Sequence, residues 1–407
     1  AIDTGKGTLT VKGDGTWVFV AAAGLDHRQA QGLSFSLQAT DGDRDTDEAG
    51  QTISIADGAG PVGGGSISLQ VDDQNLATGS TPAGADSDSA VLTFSAGADP
   101  LASLAFSDDL SGLHASLSWE RVSDSEIVGR DNGEPVVRLS LVASADKTQA
   151  TVTATLLSNY GQHPGIDADD VQSLGTVAVV ATDLDGDEAS GSVSLSVSDD
   201  MPSVSVAGPA TVVEGERING SWSLVAGADG ASTQVLFDGQ AYDLDEAIDT
   251  GKGTLTVKGD GTWVFVAAAG LDHRQAQGLS FSLQATDGDR DTDEAGQTIS
   301  IADGAGPVGG GSISLQVDDQ NLATGSTPAG ADSDSAVLTF SAGADPLASL
   351  AFSDDLSGLH ASLSWERVSD SEIVGRDNGE PVVRLSLVAS ADKTQATVTA
   401  TLLSNYG

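Results

Sequence analysis

Alternating aspartates are the pattern in this sequence whose residue types and spacing point most directly to chemistry. Asp41, Asp43 and Asp45 are separated by Gly42 and Arg44 and followed by Asp47, and the same run returns at Asp287, Asp289, Asp291 and Asp293. A third loop carries Asp183, Asp185 and Asp187 around Leu184 and Gly186. Carboxylates on every second residue, with a glycine to bend the chain, let one short loop turn several hard oxygens onto one divalent cation, as calcium loops do. No helix flanks these loops, so they are not EF-hands. Asp and Gly are also ordinary turn residues, and a solvated acidic turn is the plain alternative. Further acids precede prolines: Asp57 before Pro61, its copy Asp303 before Pro307, and Asp199 and Asp200 before Pro202.

Other chemistries fit poorly. Paired carboxylates also serve glycosidases, but those set them in a cleft with aromatic sugar platforms, and here aromatics are 4% of the chain. His27, His114, His163, His273 and His360 stand apart from any nucleophile pattern, which suits solvated or hydrogen-bonded imidazoles. Trp17 and Trp263 follow Asp-Gly-Thr turns at strand starts and read as core residues, as do Trp119, Trp222 and Trp365. With 60 acidic residues against 17 basic and a net charge of −43, the chain is no nucleic-acid binder and has no affinity for an anionic membrane surface. No apolar run approaches the ~20 residues that span a bilayer. With no cysteine, disulfides are impossible, and metal is the remaining staple for an extracellular chain. So large a charge opposes compaction until cations neutralise it.

The elements that must position the aspartates are short and alternate with period two. Thr8 to Val11 and Trp17 to Val20 flank a Gly13-Asp14-Gly15 turn, a hairpin signature. Leu33, Phe35 and Leu37 fall on one face. Further strands are expected near 51–55, 67–71, 91–94, 113–119, 136–142, 151–157, 176–181 and 192–197. Residues 1–161 recur without a change as 247–407, an offset of 246, so the chain holds one full period and part of the next. Acid-then-proline stretches at 56–61, continued by Val62-Gly63-Gly64-Gly65, and at 198–202 read as linkers. The expected modules are 1–58 (the C-terminal part of an Ig-like module), 59–201 (a larger sandwich), 202–304 (a whole Ig-like module) and 305–407 (the N-terminal part of a second larger one). The fold class is all-β, tandem Ig-like β-sandwich modules in an extended rod. In such a sandwich the loop before the last strand lies at the end where the domain begins. Asp287, Asp289 and Asp291 should therefore approach Asp199 and Asp200, and Asp183, Asp185 and Asp187 should approach Asp57. Glu214, Glu216, Asp72, Asp73, Asp318 and Asp319 could contribute.

Two stretches carry a family resemblance. The run 253–257, Asp260-Gly261-Thr262-Trp263, Gly270-Leu271 and Phe281 to Asp289 resembles the VCBS and bacterial Ig-like repeats of giant surface proteins. The segments 67–76 and 177–187 are similar to the larger repeat of type I-secreted, RTX-type adhesins. The resemblance implies the calcium-rigidified extender, or stalk, of a very long extracellular protein anchored at the bacterial outer membrane through regions outside this piece. It would serve biofilm formation or surface attachment. No Gly-Gly-x-Gly-x-Asp array is present, and no terminal ligand-binding domain is recognisable. The expected partners are calcium ions and neighbouring repeats of the same chain, with no direct membrane insertion, and the expected state is a monomer without catalytic residues. The alternative is a module that recognises a glycan or partner protein through repeated copies, which identical repeats would favour by avidity.

Overall fold

The computed structural model describes the whole chain except residues 83, 167, 168, 329, 331 and 407. The chain is all-β. Among the described residues the helical elements are two single 3-10 turns, Asp73–Asn75 and Asp319–Asn321, and no helix is long and apolar enough to cross a membrane. The fold divides into two compact units. The first holds Ala1–Val204, Leu224–Thr233 and Gln284–Glu294; the second holds Ser205–Ser223, Gln234–Leu283 and Ala295–Gly407.

The largest core of the first unit lies between two sheets. One is six-stranded, in the order Ser118–Ser123, Glu126–Asp131, Glu134–Ala143, Gln149–Leu156, Ser87–Ser95, Val62–Gly64. The other is four-stranded, in the order Ser66–Asp72, Glu188–Ser198, Val171–Asp183, Leu101–Phe106. Alternation drives the packing: Val177, Val179 and Ala181 point inward, as do Val193, Leu195 and Val197 from the partner strand, with serines and threonines between them. Phe94, Phe106, Leu139 and Leu174 fill the space between the sheets. The Ser66–Asp72 strand joins Glu188–Ser198 in parallel, so the chain enters and leaves this sandwich along neighbouring strands.

Two expectations need correction here. Residues 62–65 are not linker. Val62–Gly64 is an edge strand paired with Ser87–Ser95, and a Cβ on Gly64 would stand 2.4 Å from the Gly191 Cα. Gly63 and Gly64 are there because backbones touch at them. Nor is 113–119 a strand: Leu113 makes a single bridge to Gly175, and the strand begins at Ser118. The strands Leu101–Phe106 and Glu126–Asp131 were not expected from the pattern.

The second unit contains most of two five-stranded sheets. One runs Ser203–Ala207, Arg217–Val225, Thr262–Ala267, Gly253–Val257, Ala247–Asp249. The other runs Thr211–Val213, Thr292–Ala302, Gln277–Asp287, Ala231–Phe237, Gln240–Tyr242. Trp263, Phe265, Leu255, Phe281, Leu283 and Ile299 are buried. The unit also contains a six-stranded sheet that copies that of the first unit, from Val308–Gly310 to Gln395–Leu402.

Identical sequence takes different structure where its partners differ. Leu33, Phe35 and Leu37 were expected on a buried face. Leu283 is fully buried, whereas its copy Leu37 is 47% exposed, because the strands of 203–246 occur once in the chain. Likewise 66–72 and 101–106 are strands, but their copies 312–318 and 347–352 are not, since 171–198 occurs once.

Candidate metal centre

The three aspartate loops share one backbone design. In each, the N–H of the first aspartate donates to the carbonyl of the fifth residue, at 3.1 Å for Asp41 to Asp45, Asp183 to Asp187 and Asp287 to Asp291. The first aspartate's Oδ1 accepts backbone N–H groups inside the loop: Asp43 and Asp45 for Asp41, Gly186 and Asp187 for Asp183, Arg290 and Asp291 for Asp287. The fourth residue is left-handed in all three, with φ of 82° at Arg44, 105° at Gly186 and 90° at Arg290. An arginine held there costs on the order of 1 kcal/mol or more. The first aspartate thus folds the loop and frees the third and fifth to face outward together.

What they face differs. Asp289 and Asp291 meet Asp199, with one carboxylate oxygen from each within 4.8 Å of the others. Asp199 is buried, and its Oδ2 has no hydrogen-bond partner; neither do both oxygens of Asp289 or Oδ2 of Asp287. Burial, followed by the Asp291 and Asp289 carboxylates beside it, pushes Asp199 up to about 8. Burial and Asp289 raise Asp287 to about 7. Asp200 is not in this group. Its carboxylate accepts the Ser80 and Ala228 N–H groups at 2.8 and 2.9 Å, so it braces the joint. Asn159 Nδ2 donating to Asp229 at 2.5 Å and the Val204 N–H donating to Asp293 at 2.7 Å brace it further.

Asp185 and Asp187 meet Asp57 in a second group. Both Asp185 oxygens are buried without a partner. The Asp183 carboxyl, then burial, then the Asp183, Asp57 and Asp99 charges raise Asp185 to about 6. Asp183 serves as the loop's organiser. A Cβ on Gly60 would stand 2.9 Å from Asp187 Oδ2, so glycine lets the chain pass against this carboxylate. Asp41, Asp43 and Asp45 also cluster, but fully exposed, with no acid stretch like 198–202 before them in the chain. Asp303 lies with Glu214 and His273.

The residues fit a calcium ion on their donor chemistry. Both partly buried groups are built from carboxylates, and several of their oxygens lack any donor. Buried like charges this close are tolerated when protonated or held by a cation.

The sequence reading missed a neighbour of the first group. His163, its side chain fully buried, stands 3.1 Å from Asp170 through Nδ1, and 3.2 Å from Asp73 and 3.8 Å from Asp199 through Nε2. Burial opposes its charge, but the Asp73 hydrogen bond and the Asp199, Asp73 and Asp170 charges outweigh that and raise its pKa. No local pattern announces the arrangement, because Asp73 is 90 residues away.

A pH dependence follows for the chain in chelator. A carboxyl whose folded pKa is raised to about 8 binds its proton more tightly when folded. Its stabilisation is full below the unfolded value near ~3.9 and is lost as pH rises to the folded value. The raised His163 has the same sign, its contribution fading above its unfolded value of ~6.5. Depressed carboxyls such as Asp26, held below the usual value by its hydrogen bond with Arg28, are ionised by about pH 5 and add no slope above it. Melting of the first unit in chelator should therefore fall from about pH 5 to about pH 8. Asp199→Asn should flatten that slope, and an unchanged slope would remove Asp199 as its source.

No family model matches the chain, and no curated protein matches it. Solved structures align with the chain at low identity. Protocadherin gamma B7 extracellular cadherin domains 1–4 align over 98% of this chain and 83% of that one, at 12% identity and a TM-score of 0.31. Sidekick-1 immunoglobulin domains 1–5 align over 97% and 70%, at 11% and 0.23. Protocadherin gamma B3 domains 1–4 align over 73% of this chain, at 14% and 0.31, and this chain spans 64% of their length.

Proposed function

We propose that this chain is the stalk of a calcium-dependent extracellular adhesin of the bacterial surface, of the type I-secreted RTX kind, used in biofilm formation or surface attachment. One observation carries the reading: Asp199, at the exit of one sandwich, stands against Asp289 and Asp291 from a loop 90 residues onward, and Asp199 Oδ2 and both Asp289 oxygens are buried without a donor. The proposed modules are 1–58, 59–201, 202–304 and 305–407. The proposed ligands are Asp199, Asp289 and Asp291 in one clamp and Asp57, Asp185 and Asp187 in the other, with Asp183 and Asp287 as organisers and Asp41, Asp43, Asp45 and Asp303 at the corresponding places of the second register. Bound calcium would supply the positive charge that lets these carboxylates stay ionised and together, and its binding energy would add to folding.

The chain's own residues do the rest. Asp183 and Asp287 hold their loops in the ligating shape before any ion arrives. Asp200 and Asp229 fix the chain at the joint. Without cations the same carboxylates repel one another, and the chain stays soft enough for export from a low-calcium compartment. Extracellular sites work at roughly 10⁻⁴–10⁻³ M calcium, which matches release into the medium. Small-angle X-ray scattering of the whole chain tests this. Calcium should shift the profile from a flexible string towards a stiffer particle, and Asp289→Asn should blunt the shift. Superimposable profiles in calcium and in chelator would defeat the proposal.

A further inference from the structure

Glu214, His273 and Asp303 differ from the all-carboxylate groups in containing nitrogen. We propose that Glu214, His273 and Asp303 form a site for a first-row divalent cation that accepts imidazole, with zinc as its representative. This goes beyond the calcium clamps and shares with them only the carboxylate of Asp303.

Three elements build the site. Glu214 follows the Thr211–Val213 strand, and its side chain is wholly buried. Oε2 accepts the Leu271 N–H at 3.0 Å and Oε1 accepts the Gly304 N–H at 3.2 Å, so the carboxylate is fixed in place. The Leu271 hydrogen bond is also the main cause that holds its pKa below the usual value. Each carboxylate oxygen has a second lone pair, so two accepted bonds leave coordination capacity unused. Gly304 permits this approach: a Cβ there would stand 3.1 Å from Glu214 Oε1 and 2.2 Å from the Ala344 Cβ.

His273 is the second ligand. Its Nε2 is buried without a hydrogen-bond partner and stands 3.6 Å from Glu214 Oε2. That distance is too long for a hydrogen bond, whose usual range is about 2.7–3.2 Å. Two ligand atoms each ~2.1 Å from one tetrahedral ion stand ~3.4 Å apart, close to what is seen. Asp303 places a carboxylate oxygen within 4.8 Å of both. The group opens onto a cleft of about 540 Å³ that Asp345 also lines. The arginine that lines the cleft, Arg274, is paired with Asp272 at 2.6 Å.

The donor set selects the ion. Calcium takes oxygen ligands, whereas imidazole suits zinc, copper, iron and nickel. One imidazole, two carboxylates and an open side resemble a three-ligand zinc site with a free position. His27, within the identical copy of this sequence, provides an internal control, because no residue equivalent to Glu214 precedes it in the chain.

The test is calorimetric titration of the whole chain with zinc chloride in saturating calcium. The expected result is a zinc site that His273→Gln weakens by at least ~10-fold, while His27→Gln and His163→Gln leave it in place. The calcium-induced melting shift should be the same in His273→Gln as in the unaltered chain, so failure here and failure of the calcium clamps are read separately. Equal zinc binding by His273→Gln and the unaltered chain, or no zinc binding in calcium, would overturn the assignment.

Discussion

Removing calcium should lower the melting temperature of the first unit by roughly 10 °C, the larger effect belonging to the two clamps that it contains. An ion that binds only the folded state stabilises by RT ln(1 + [L]/Kd). With ~10 mM calcium and Kd values of ~10⁻⁴–10⁻³ M, each clamp contributes ~1.4–2.7 kcal/mol. Two clamps give ~3–5 kcal/mol, and in a unit of this size ~1 kcal/mol moves Tm by ~2–4 °C. The carboxylates add a second signature. Asp289 presents two buried oxygens without partners to Asp199 and Asp291. In chelator its charge is unopposed, so Asp289→Asn should raise Tm there by about 1 kcal/mol equivalent, since it removes a like charge from a buried site. In calcium the same substitution deletes a ligand, so it should lower Tm. Differential scanning calorimetry of both proteins in both conditions gives the four numbers. If Asn moves Tm the same way with and without calcium, the group does not hold an ion.

How much of this was legible depended on the range over which each feature is determined. The aspartate loops are local: residue spacing alone sets up the Asp287 to Asp291 turn, and alternation alone makes Glu188–Ser198 a strand. Which carboxylates meet was argued from sandwich topology, and the structure brings Asp199 to Asp289 and Asp291 and brings Asp57 to Asp185 and Asp187. Asp200 escaped that argument because its neighbours Ser80 and Ala228 offer backbone N–H groups, which leave no trace in side-chain sequence. His163 with Asp73 escaped for a similar reason, as did Glu214 with His273, since each pairs residues more than fifty positions apart without a motif. The glycines at 63–65 misled because a residue without a side chain serves a loose loop and a tight backbone contact equally.

The dependence of local structure on distant strands has its sharpest expression in two tryptophans with the same sequence around them. Trp263 is fully buried, donates through Nε1 to the Ala207 carbonyl at 3.0 Å and meets Phe281 edge-on with ring centroids 5.4 Å apart. Gly220 is shaped to it: a Cβ there would stand 2.2 Å from the indole nitrogen. Trp17 meets Phe35 with the same 5.4 Å spacing but is 40% exposed, because residues 203–246, which supply Ala207 and Gly220, occur once in the chain. Trp263→Ala should therefore cost ~3–5 kcal/mol, the usual loss for a large aromatic removed from a closed core, and Gly220→Ala should cost part of the same by forcing the indole to move. Trp17→Ala leaves no closed cavity, so its cost should be under ~1 kcal/mol, as for a residue already in contact with water. Urea melts followed by circular dichroism compare the three. Equal losses at positions 17 and 263 would mean that the hairpin, rather than the strands laid over it, sets the stability of this part of the fold.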